Sequence, residues 1–368
     1  MKVGLNATCL NDRPSGAKQR FIGIYGELVK RLPEVEFVVY EPVDCRVGEW
    51  FHGAPNVSLR RTPLQSDQRI SKFLGGLNYW RTALPKEKFD LFEGFNIPLV
   101  KVPIGKTILT IHDIRGLQSE YGVLRRTAFR AVIGNSLARA DHVITVSEAM
   151  RQEILSFYPG TPISVVYNGL DTGEFDTVIE TDLQTTRRKY QLPQEFVLAV
   201  GHYEKRKNYL RLIDAMERLH DRGSLSNLVL IGNDNGERKL IEERIRSANL
   251  SGQVQVFSSL SDLEIRCFYK FCSLFVFPSS YEGFGIPILE AMAAGCPMVL
   301  SDMPVFREIT QDMGVYFAHD DTEAMASAIE KVLTSNSECA RLIAYGKERV
   351  KDFSFQNLAG QIEQLYQS

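Results

Sequence analysis

The chain has 368 residues, a length typical of two domains of ordinary size rather than one. Its composition, 44% hydrophobic and 24% charged, excludes a disordered or fibrous protein. Basic and acidic residues nearly balance, at 43 against 45, which argues against charge-driven binding of nucleic acid. The balance hides an asymmetry, because residues 1–168 hold 22 Lys and Arg against 16 Asp and Glu, whereas residues 169–368 hold 21 against 29.

The cysteine and histidine patterns bear on metal binding and on location. Six cysteines occur without a Cys-x-x-Cys pair, which favours reduced thiols in a cytosolic protein over a disulfide framework or a zinc site. The sequence has no D-x-D triplet and no H-x-x-x-H or H-E-x-x-H spacing, so we expect no metal ion and no other cofactor. No run reaches the ~18 consecutive apolar residues of a membrane span. The start, Met1–Asn6, is typical of a strand, and a cytoplasmic location is expected.

Short apolar runs alternate with helical patterns along the chain. The strands predicted in the first half are Lys2–Leu5, Glu36–Tyr40, Asp90–Phe92, Thr107–Ile111, His142–Val146 and Ile163–Val166. Those predicted in the second half are Phe196–Val200, Leu228–Ile231, Val254–Phe257, Leu274–Phe277, Pro297–Leu300 and Val315–Phe317. Because the runs are almost continuously apolar and alternate with helices, they predict parallel sheets covered on both faces. The pattern therefore predicts an α/β protein with two Rossmann-like domains.

Turn-rich residues mark the predicted boundary between these domains. The stretch Tyr167–Gly173 follows the sixth strand and is the predicted hinge. The first domain then covers 1–168 and the second covers 169–353. An amphipathic helix is predicted at Asn357–Tyr366. We place 354–368 with the first domain, although the sequence equally allows a terminal helix of the second.

The most informative stretch follows the strand Leu274–Phe277, at the sheet edge where open α/β folds bind ligands. Pro287 suits the first turn of a helix, and Gly295 suits its end. Glycines directly before a helix expose backbone N–H groups, which is typical of an anion site. A glutamate early in a helix is also favoured by the helix dipole alone. The candidate ligand-binding residues here are Glu282, Gly283, Phe284, Gly285, Ile286 and Glu290.

Polar residues follow two other predicted strands. Arg206 and Lys207 follow Phe196–Val200 and suit a diphosphate, because arginine chelates two oxygens and lysine acts as a mobile point charge. Alternatively, these cations form a solvated entry to a helix. His112 follows the strand that begins at Thr107. A single histidine at a strand end is either structural or part of a site at the sheet's carboxyl edge.

These residues together resemble glycosyltransferase family 4, whose members are retaining enzymes of the GT-B fold. The likeness covers nearly the whole chain and is most specific at Glu282 to Glu290, which reproduces the family's E-x7-E signature with its Gly-Phe-Gly-x-Pro interior. The best local likeness is to bacterial mannosyl- and rhamnosyltransferases that build O-antigens and other surface polysaccharides. Further family-like segments, in the family's order, are Ile111–Asp113, Ile144–Glu148, Tyr167–Asp171, Glu204–Asn208 and Ser301–Glu308.

The resemblance implies roles in donor binding. Glu282 would lie beside the donor sugar, with the amides of Phe284 and Gly285 nearby. Glu290 would accept hydrogen bonds from the ribose hydroxyls. The donor expected from the subgroup likeness is GDP-mannose, with GDP-rhamnose or a UDP-sugar as alternatives. Gly16 would approach the phosphates, although its loop has one glycine where many relatives have two.

The resemblance also implies the mechanism. Arg206 and Lys207 would stabilise the departing diphosphate, together with the helix terminus and in place of a metal ion. His112 would line the acceptor side near the reacting carbon of the sugar. The acceptor would attack from the face that the diphosphate leaves, and a departing phosphate oxygen would take its proton. A glycan or a lipid-diphosphate-linked glycan is the expected acceptor.

Three alternative functions share features of this pattern. A sugar-nucleotide epimerase uses the same tandem plan and would be excluded by nucleotide release without an epimer. A nicotinamide dehydrogenase is disfavoured because no G-x-G-x-x-G follows any predicted strand. A two-domain binding protein without catalysis would show no nucleotide-dependent turnover with a glycan acceptor.

The basic excess of the first domain suggests a further partner. It fits either the solvated face of a packed helix or peripheral attraction to anionic lipid on the cytoplasmic face of the inner membrane. The arginines on a predicted helix from Val123 are Arg125, Arg126, Arg130 and Arg139, and a second basic region holds Arg60, Arg61, Arg69, Lys72 and Arg81.

Overall fold

The computed structural model describes residues 1–13, 15–66, 79–95, 97, 99, 105–118, 122–224 and 226–367. Arg69 and Lys72, from the second basic region, lie outside the described residues. The chain forms two compact units. The first unit comprises Met1–Gly169 with Phe355–Ser368, and the second comprises Leu170–Ser354.

The first unit is built on a parallel sheet, in which the described residues form seven strands. Their order across the sheet is β3-β2-β1-β4-β5-β6-β7. The strands are β1 (Lys2–Asn6), β2 (Glu36–Glu41), β3 (Val57–Arg61), β4 (Leu91–Gly94), β5 (Lys106–Ile111), β6 (His142–Thr145) and β7 (Ile163–Val165).

Strand β3 corrects the prediction of six strands in this half. It pairs in parallel with β2 at the edge of the sheet. Its residues are half-buried or exposed, and it ends in Arg60 and Arg61. An edge strand of this kind lacks the continuous apolar run that identifies strands buried on both faces, so the sequence pattern missed it.

Both faces of this sheet are covered, as the apolar strands predicted. Phe37 and Val39 of β2 pack into one hydrophobic cluster. The intervening Val38 and Tyr40 pack with Phe92 into another, because successive side chains of a strand point to opposite faces. The α-helices before the hinge are α1 (Gly16–Arg20), α2 (Gly26–Arg31), α3 (Val123–Leu137) and α4 (Glu148–Phe157), with a π-helical turn at Phe21–Tyr25, 3-10 turns at Val47–Phe51, Leu84–Lys86 and Arg115–Leu117, and further helical residues at 79–83.

The second unit contains a parallel sheet of six strands in the order β10-β9-β8-β11-β12-β13. Each strand lies within one residue of its predicted position, because all six are mainly apolar, including the half-buried edge strand at Val254–Phe257. The strands are β8 (Phe196–Val200), β9 (Asn227–Ile231), β10 (Val254–Phe257), β11 (Leu274–Phe277), β12 (Met298–Ser301) and β13 (Val315–Phe317).

The helices of the second unit alternate with these strands. The α-helices are α5 (Gly173–Asp176), α6 (Glu180–Tyr190), α7 (Tyr209–Asp221), α8 (Arg238–Ser247), α9 (Asp262–Phe271), α10 (Ile286–Ala294), α11 (Pro304–Thr310), α12 (Thr322–Leu333) and α13 (Asn336–Arg349), with 3-10 turns at Lys205–Lys207 and Val350–Phe353. Helix α10 has Pro287 in its first turn and ends at Gly295, whose φ of 71° is the left-handed conformation that glycine adopts most easily.

The C-terminal helix α14 (Phe355–Gln367) belongs to the first unit, so the chain returns there after completing the second. Leu358 and Ile362 of α14 are fully buried in the core of the first unit. The Tyr366 hydroxyl donates a hydrogen bond of 2.5 Å to the buried Glu93 carboxylate of β4. These contacts attach the end of the chain to the first sheet.

Candidate active site

The candidate site of the second unit lies at the topological switch point of its sheet. Strands β8 and β11 are neighbours, and from them the strand order runs outward in opposite directions. The loops after both strands therefore meet at one position of the carboxyl edge, where open α/β sheets bind their ligands. The loop after β8 holds Arg206 and Lys207, and the loop after β11 holds Glu282.

The loop after β8 is held in place by its backbone. A side chain at Gly232 would come within 1.9 Å of the Gly201 carbonyl oxygen, so these two loops approach as closely as glycine allows. The short 3-10 turn Lys205–Lys207 follows, and Asn208 ends it with a φ of 59°. The Asn208 side-chain amide donates to the His319 carbonyl at 2.7 Å. The end of the turn is thereby tied to the residues that follow Val315–Phe317.

A compact cluster of charges joins the two loops. The Lys207 ammonium and the Arg206 guanidinium each lie 2.6 Å from the same carboxylate oxygen of Glu282. Arg206 also pairs with Glu204 at 2.5 Å, and the Ser279 hydroxyl donates to Glu282 at 2.9 Å. The backbone amide of Ser280 donates to the Arg206 carbonyl at 2.8 Å. Two cations are thus preorganised against one carboxylate.

The electrostatics of this cluster keep Glu282 ionised. Burial raises the pKa of Glu282, but the charges of Lys207 and Arg206 outweigh burial and lower the pKa to about 2. Lys207 is only 6% exposed, and burial lowers its pKa, opposed by Glu282. Its ammonium also lies 4.6 Å from the centroid of the Phe277 ring. Glu282 therefore acts as a hydrogen-bond acceptor and not as a proton donor.

Helix α10 carries the remaining predicted residues of this unit. Gly283 and Gly285 precede it. Gly285 has a φ of 142°, a backbone conformation that residues other than glycine rarely adopt. Phe284 is buried, with its ring 6.0 Å from that of Phe353. Ile286 is the first residue of the helix. Glu290 follows after the first turn, and its carboxylate accepts a hydrogen bond of 2.9 Å from the hydroxyl of Tyr269.

The other predicted residues, Gly16 and His112, belong to the first unit. Gly16 is the first residue of α1, which begins with Ser15 accepting a hydrogen bond from the Lys18 amide at 3.2 Å. His112 follows β5 and is half-buried. Burial and the charge of Arg20 lower its pKa to about 3, so the imidazole is neutral near pH 7.

Several residues that contact the predicted site residues or the hinge were not predicted from the sequence. Ser279 and Tyr269 hydrogen-bond to the two glutamates of the signature, and Glu204 pairs with Arg206. Arg20 is fully buried and donates to the Val166 and Tyr167 carbonyls at 2.7 and 2.5 Å, at the start of the hinge. Of these residues, only Glu204 could have been found from the sequence, because it lies in the family-like segment Glu204–Asn208.

Metal-binding clusters and membrane-spanning helices are both absent from the described residues. No group of three or more His, Cys, Asp and Glu side chains there is arranged to hold a metal ion. No helix in the same ranges is long and apolar enough to cross a membrane.

Comparison with known proteins assigns this arrangement to a class. A family model for Glycosyltransferase Family 4 matches residues 14–174, and one for Glycosyl transferases group 1 matches residues 183–349. The two models together span most of the chain, and the chain belongs to this glycosyltransferase family. Its two parallel sheets with their helices are those of the GT-B fold.

The more similar relatives transfer mannose. The chain is 30% identical over 287 residues to the serotype-specific mannosyltransferase WbdA of Escherichia coli, covering 73% of this chain and 35% of WbdA. It thus spans about a third of that relative's length. It is 28% identical over 289 residues to the O-antigen chain mannosyltransferase B of Escherichia coli, covering 77% of this chain and 76% of the relative. The crystal structure of Anabaena HepE in complex with UDP and glucose superposes with a TM-score of 0.76 at 18% identity, covering 100% and 99% of the two chains.

Proposed function

We propose that this protein transfers mannose, with retention of configuration, from GDP-mannose to a glycan or lipid-diphosphate-linked acceptor of surface polysaccharide. The observation that carries this proposal is the cluster of Glu282, Arg206 and Lys207 at the switch point of the second sheet. The diphosphate of a nucleotide-sugar is dianionic and gains a further negative charge as it leaves, and preorganised cations in a poorly solvated site are an effective means of stabilising that charge.

The charges of the cluster support a division of roles. Arg206 and Lys207 bring two positive charges, which Glu282 and Glu204 balance. Lys207 offers three N–H donors, and among the described residues one of them is used by Glu282. A diphosphate would bind the other N–H groups of Lys207 and pair with the Arg206 guanidinium. Glu282, ionised at any working pH, would accept a hydrogen bond from a sugar hydroxyl and orient the donor.

The ionisation states favour attack on the face that the diphosphate leaves. Glycosidases use one protonated and one ionised carboxyl group at the reacting carbon. A pKa of about 2 leaves Glu282 without a proton to donate, and its two cations hold it as an acceptor. A departing phosphate oxygen would then take the proton of the acceptor. His112, neutral with a pKa of about 3, would hydrogen-bond on the acceptor side.

The choice of GDP-mannose rests on the relatives, since WbdA and O-antigen chain mannosyltransferase B are both mannosyltransferases. HepE was solved with UDP and glucose, so a UDP-sugar is the alternative donor.

A panel of donors tests the proposal. GDP-mannose, GDP-rhamnose, UDP-glucose and UDP-galactose would each be added to the full chain, and thermal stabilisation and nucleotide release would be measured. We expect GDP-mannose to give the largest stabilisation and slow release of GDP without an acceptor. Preference for a UDP-sugar would correct the donor, and release of no nucleotide from any donor, with or without a glycan acceptor, would contradict the proposed activity.

A further inference from the structure

The carboxylate of Glu290 has a specific side-chain partner on the neighbouring helix. The hydroxyl of Tyr269, on α9, lies 2.9 Å from Oε2 of Glu290, on α10. Tyr269 is only 1% exposed, and its ring packs against Phe275 and Phe175, with centroids 5.4 and 6.4 Å away. A buried tyrosine packed against two aromatic rings has little rotational freedom. Its hydroxyl therefore fixes one oxygen of Glu290.

The charged groups around Glu290 come from two neighbouring helices. Asp262 and Arg266 lie on α9 with Tyr269, and Glu174 lies on α5. Arg266 pairs with Glu174 at 2.6 Å, which offsets much of its charge. Helix α10 itself carries no other charged residue. Burial is the main cause that raises the pKa of Glu290 to about 7, Asp262 and Glu174 add to it, and Arg266 and the Tyr269 hydroxyl lower it.

We propose that Tyr269 is a positioning residue that holds Glu290 oriented and ionised to accept hydrogen bonds from the ribose hydroxyls of the nucleotide-sugar. This inference rests on the proposed function and on the ribose-binding role that the family resemblance implies for Glu290. Two neighbouring hydroxyls need a carboxylate with acceptor capacity on both oxygens. A tyrosine O–H is a donor that favours the ionised form, and because it occupies one lone pair of Oε2, the second lone pair of Oε2 and both of Oε1 stay available to the two hydroxyls.

The proposal makes donor affinity depend on pH around neutrality. Below the pKa of Glu290 the carboxyl group is protonated, and binding must first remove that proton. Affinity should therefore fall about tenfold for each pH unit well below about 7 and level off above it. Removing the Tyr269 hydroxyl takes away a group that lowers the pKa. In that variant the midpoint should move to higher pH, and affinity near pH 7 should fall about tenfold or more.

Calorimetric titration of the full chain with GDP-mannose between about pH 5.5 and pH 8.5 tests this. The diphosphate of a nucleotide-sugar has no proton to lose in this range, so the protein supplies the pH dependence. The variants are Tyr269→Phe, Glu290→Gln and, as a matched control, Tyr190→Phe. Tyr190 donates to Glu264 at 2.7 Å in the same unit, so its variant also loses a tyrosine–glutamate hydrogen bond.

We expect a wild-type profile that rises with pH, a Tyr269→Phe profile displaced to higher pH, weak and flat binding by Glu290→Gln, and no change in Tyr190→Phe. A Tyr269→Phe variant with the wild-type midpoint and affinity would overturn the inference. Uniformly weaker binding without a displaced midpoint would also overturn it, since that is the mark of a merely structural role. If the wild type binds neither GDP-mannose nor UDP-glucose at any pH, the proposed function fails first and this inference falls with it.

Discussion

Lys207 is a buried cation whose position gives it two possible contributions, one to folding and one to the reaction. It is 6% exposed and pairs with Glu282, whose other cation is Arg206. We expect Lys207→Ala to lower turnover at saturating donor by roughly two to three orders of magnitude, the scale for losing one donor to a developing negative charge. The measurement is steady-state nucleotide release with acceptor present.

A substitution at the neighbouring Lys205 distinguishes an effect of Lys207→Ala on folding from an effect on the reaction. Lys205 lies in the same 3-10 turn but is exposed, so Lys205→Ala changes the same charge without touching Glu282. The control should retain nearly normal turnover. Both variants should have thermal unfolding midpoints above the assay temperature, so that a loss of turnover does not reflect unfolding. Near-normal turnover of Lys207→Ala would remove Lys207 from the reaction.

The sequence predicted individual site residues where a chemically suitable residue type also stands in a family motif. Arg206, Lys207 and Glu282 follow buried strands and carry a family signature, and the structure brings them together at one carboxylate. Ser279 and Tyr269 carry no such pattern, because a serine at a strand end and a tyrosine in a helix are common. Their role arises from contacts with residues that only the fold brings near. Arg20 is a stronger case, since it binds the Tyr167 carbonyl of the hinge from 147 residues away in the chain.

At the scale of elements, the missed strand and the returning helix show what patterns of hydrophobicity can predict. Strands buried on both faces were found because their residues are continuously apolar. The edge strand β3, with the sequence Val-Ser-Leu-Arg-Arg, was missed because its side chains are half-buried or exposed and need not be apolar. The pattern identified helix α14, but the first unit holds it through Glu93, which lies 273 residues away from Tyr366 in the chain.

The attachment of α14 can be tested through that hydrogen bond. Glu93 is fully buried and accepts hydrogen bonds of 2.5 Å each from Tyr25, Thr110 and Tyr366. We expect Tyr366→Phe to lower the free energy of unfolding of the first unit by about 1–3 kcal/mol, because a buried acceptor loses a donor. Urea unfolding followed by tryptophan fluorescence measures this, since both tryptophans, Trp50 and Trp80, lie in the first unit.

The pH dependence of this effect has a definite sign. Burial is the main cause that raises the pKa of Glu93, and the three hydroxyl donors lower it. A carboxyl group with a raised pKa contributes stability at low pH that is lost as the pH rises through that pKa. Loss of a donor to the ionised form should make the deficit larger at about pH 8 than at about pH 5. Tyr158→Phe, whose hydroxyl bonds the Arg130 carbonyl at the surface, should cost less and show no such trend. Equal deficits in both variants would contradict the role of Tyr366.

For the whole molecule, the absence of D-x-D and paired-histidine motifs predicts a reaction that needs no divalent cation. The donors to the diphosphate would then be Arg206, Lys207 and the start of α10. Transfer should continue at an undiminished rate after dialysis against EDTA, measured as nucleotide release with acceptor. Loss of activity that magnesium or manganese restores would show that a metal ion helps to stabilise the departing diphosphate.

Helix α3 of the first unit exposes apolar and basic residues together. Helix α3 begins with two apolar residues that are largely exposed, Val123 at 71% and Leu124 at 86%. Arg125 and Arg130, on the same helix, are exposed as well, and Arg126 is half-buried. Exposed apolar residues at the end of a basic helix are typical of a surface that contacts anionic lipid, to which each basic residue contributes ~1 kcal/mol. We therefore expect weak binding of the full chain to vesicles that contain phosphatidylglycerol.

Co-sedimentation at low and high salt measures this binding and separates charge from other causes. At 0.1 M salt charges are screened beyond about 10 Å, so binding should decrease steeply as salt is added. Arg125→Glu with Arg126→Glu should abolish binding. Lys30→Glu with Arg46→Glu changes the net charge of the same unit equally at exposed positions away from α3, and it should retain most of the binding. If both double variants lose binding alike, the net charge of the unit and not helix α3 is responsible. Absence of wild-type binding at low salt would exclude the contact, and an acceptor in solution would then be favoured over one in a lipid surface.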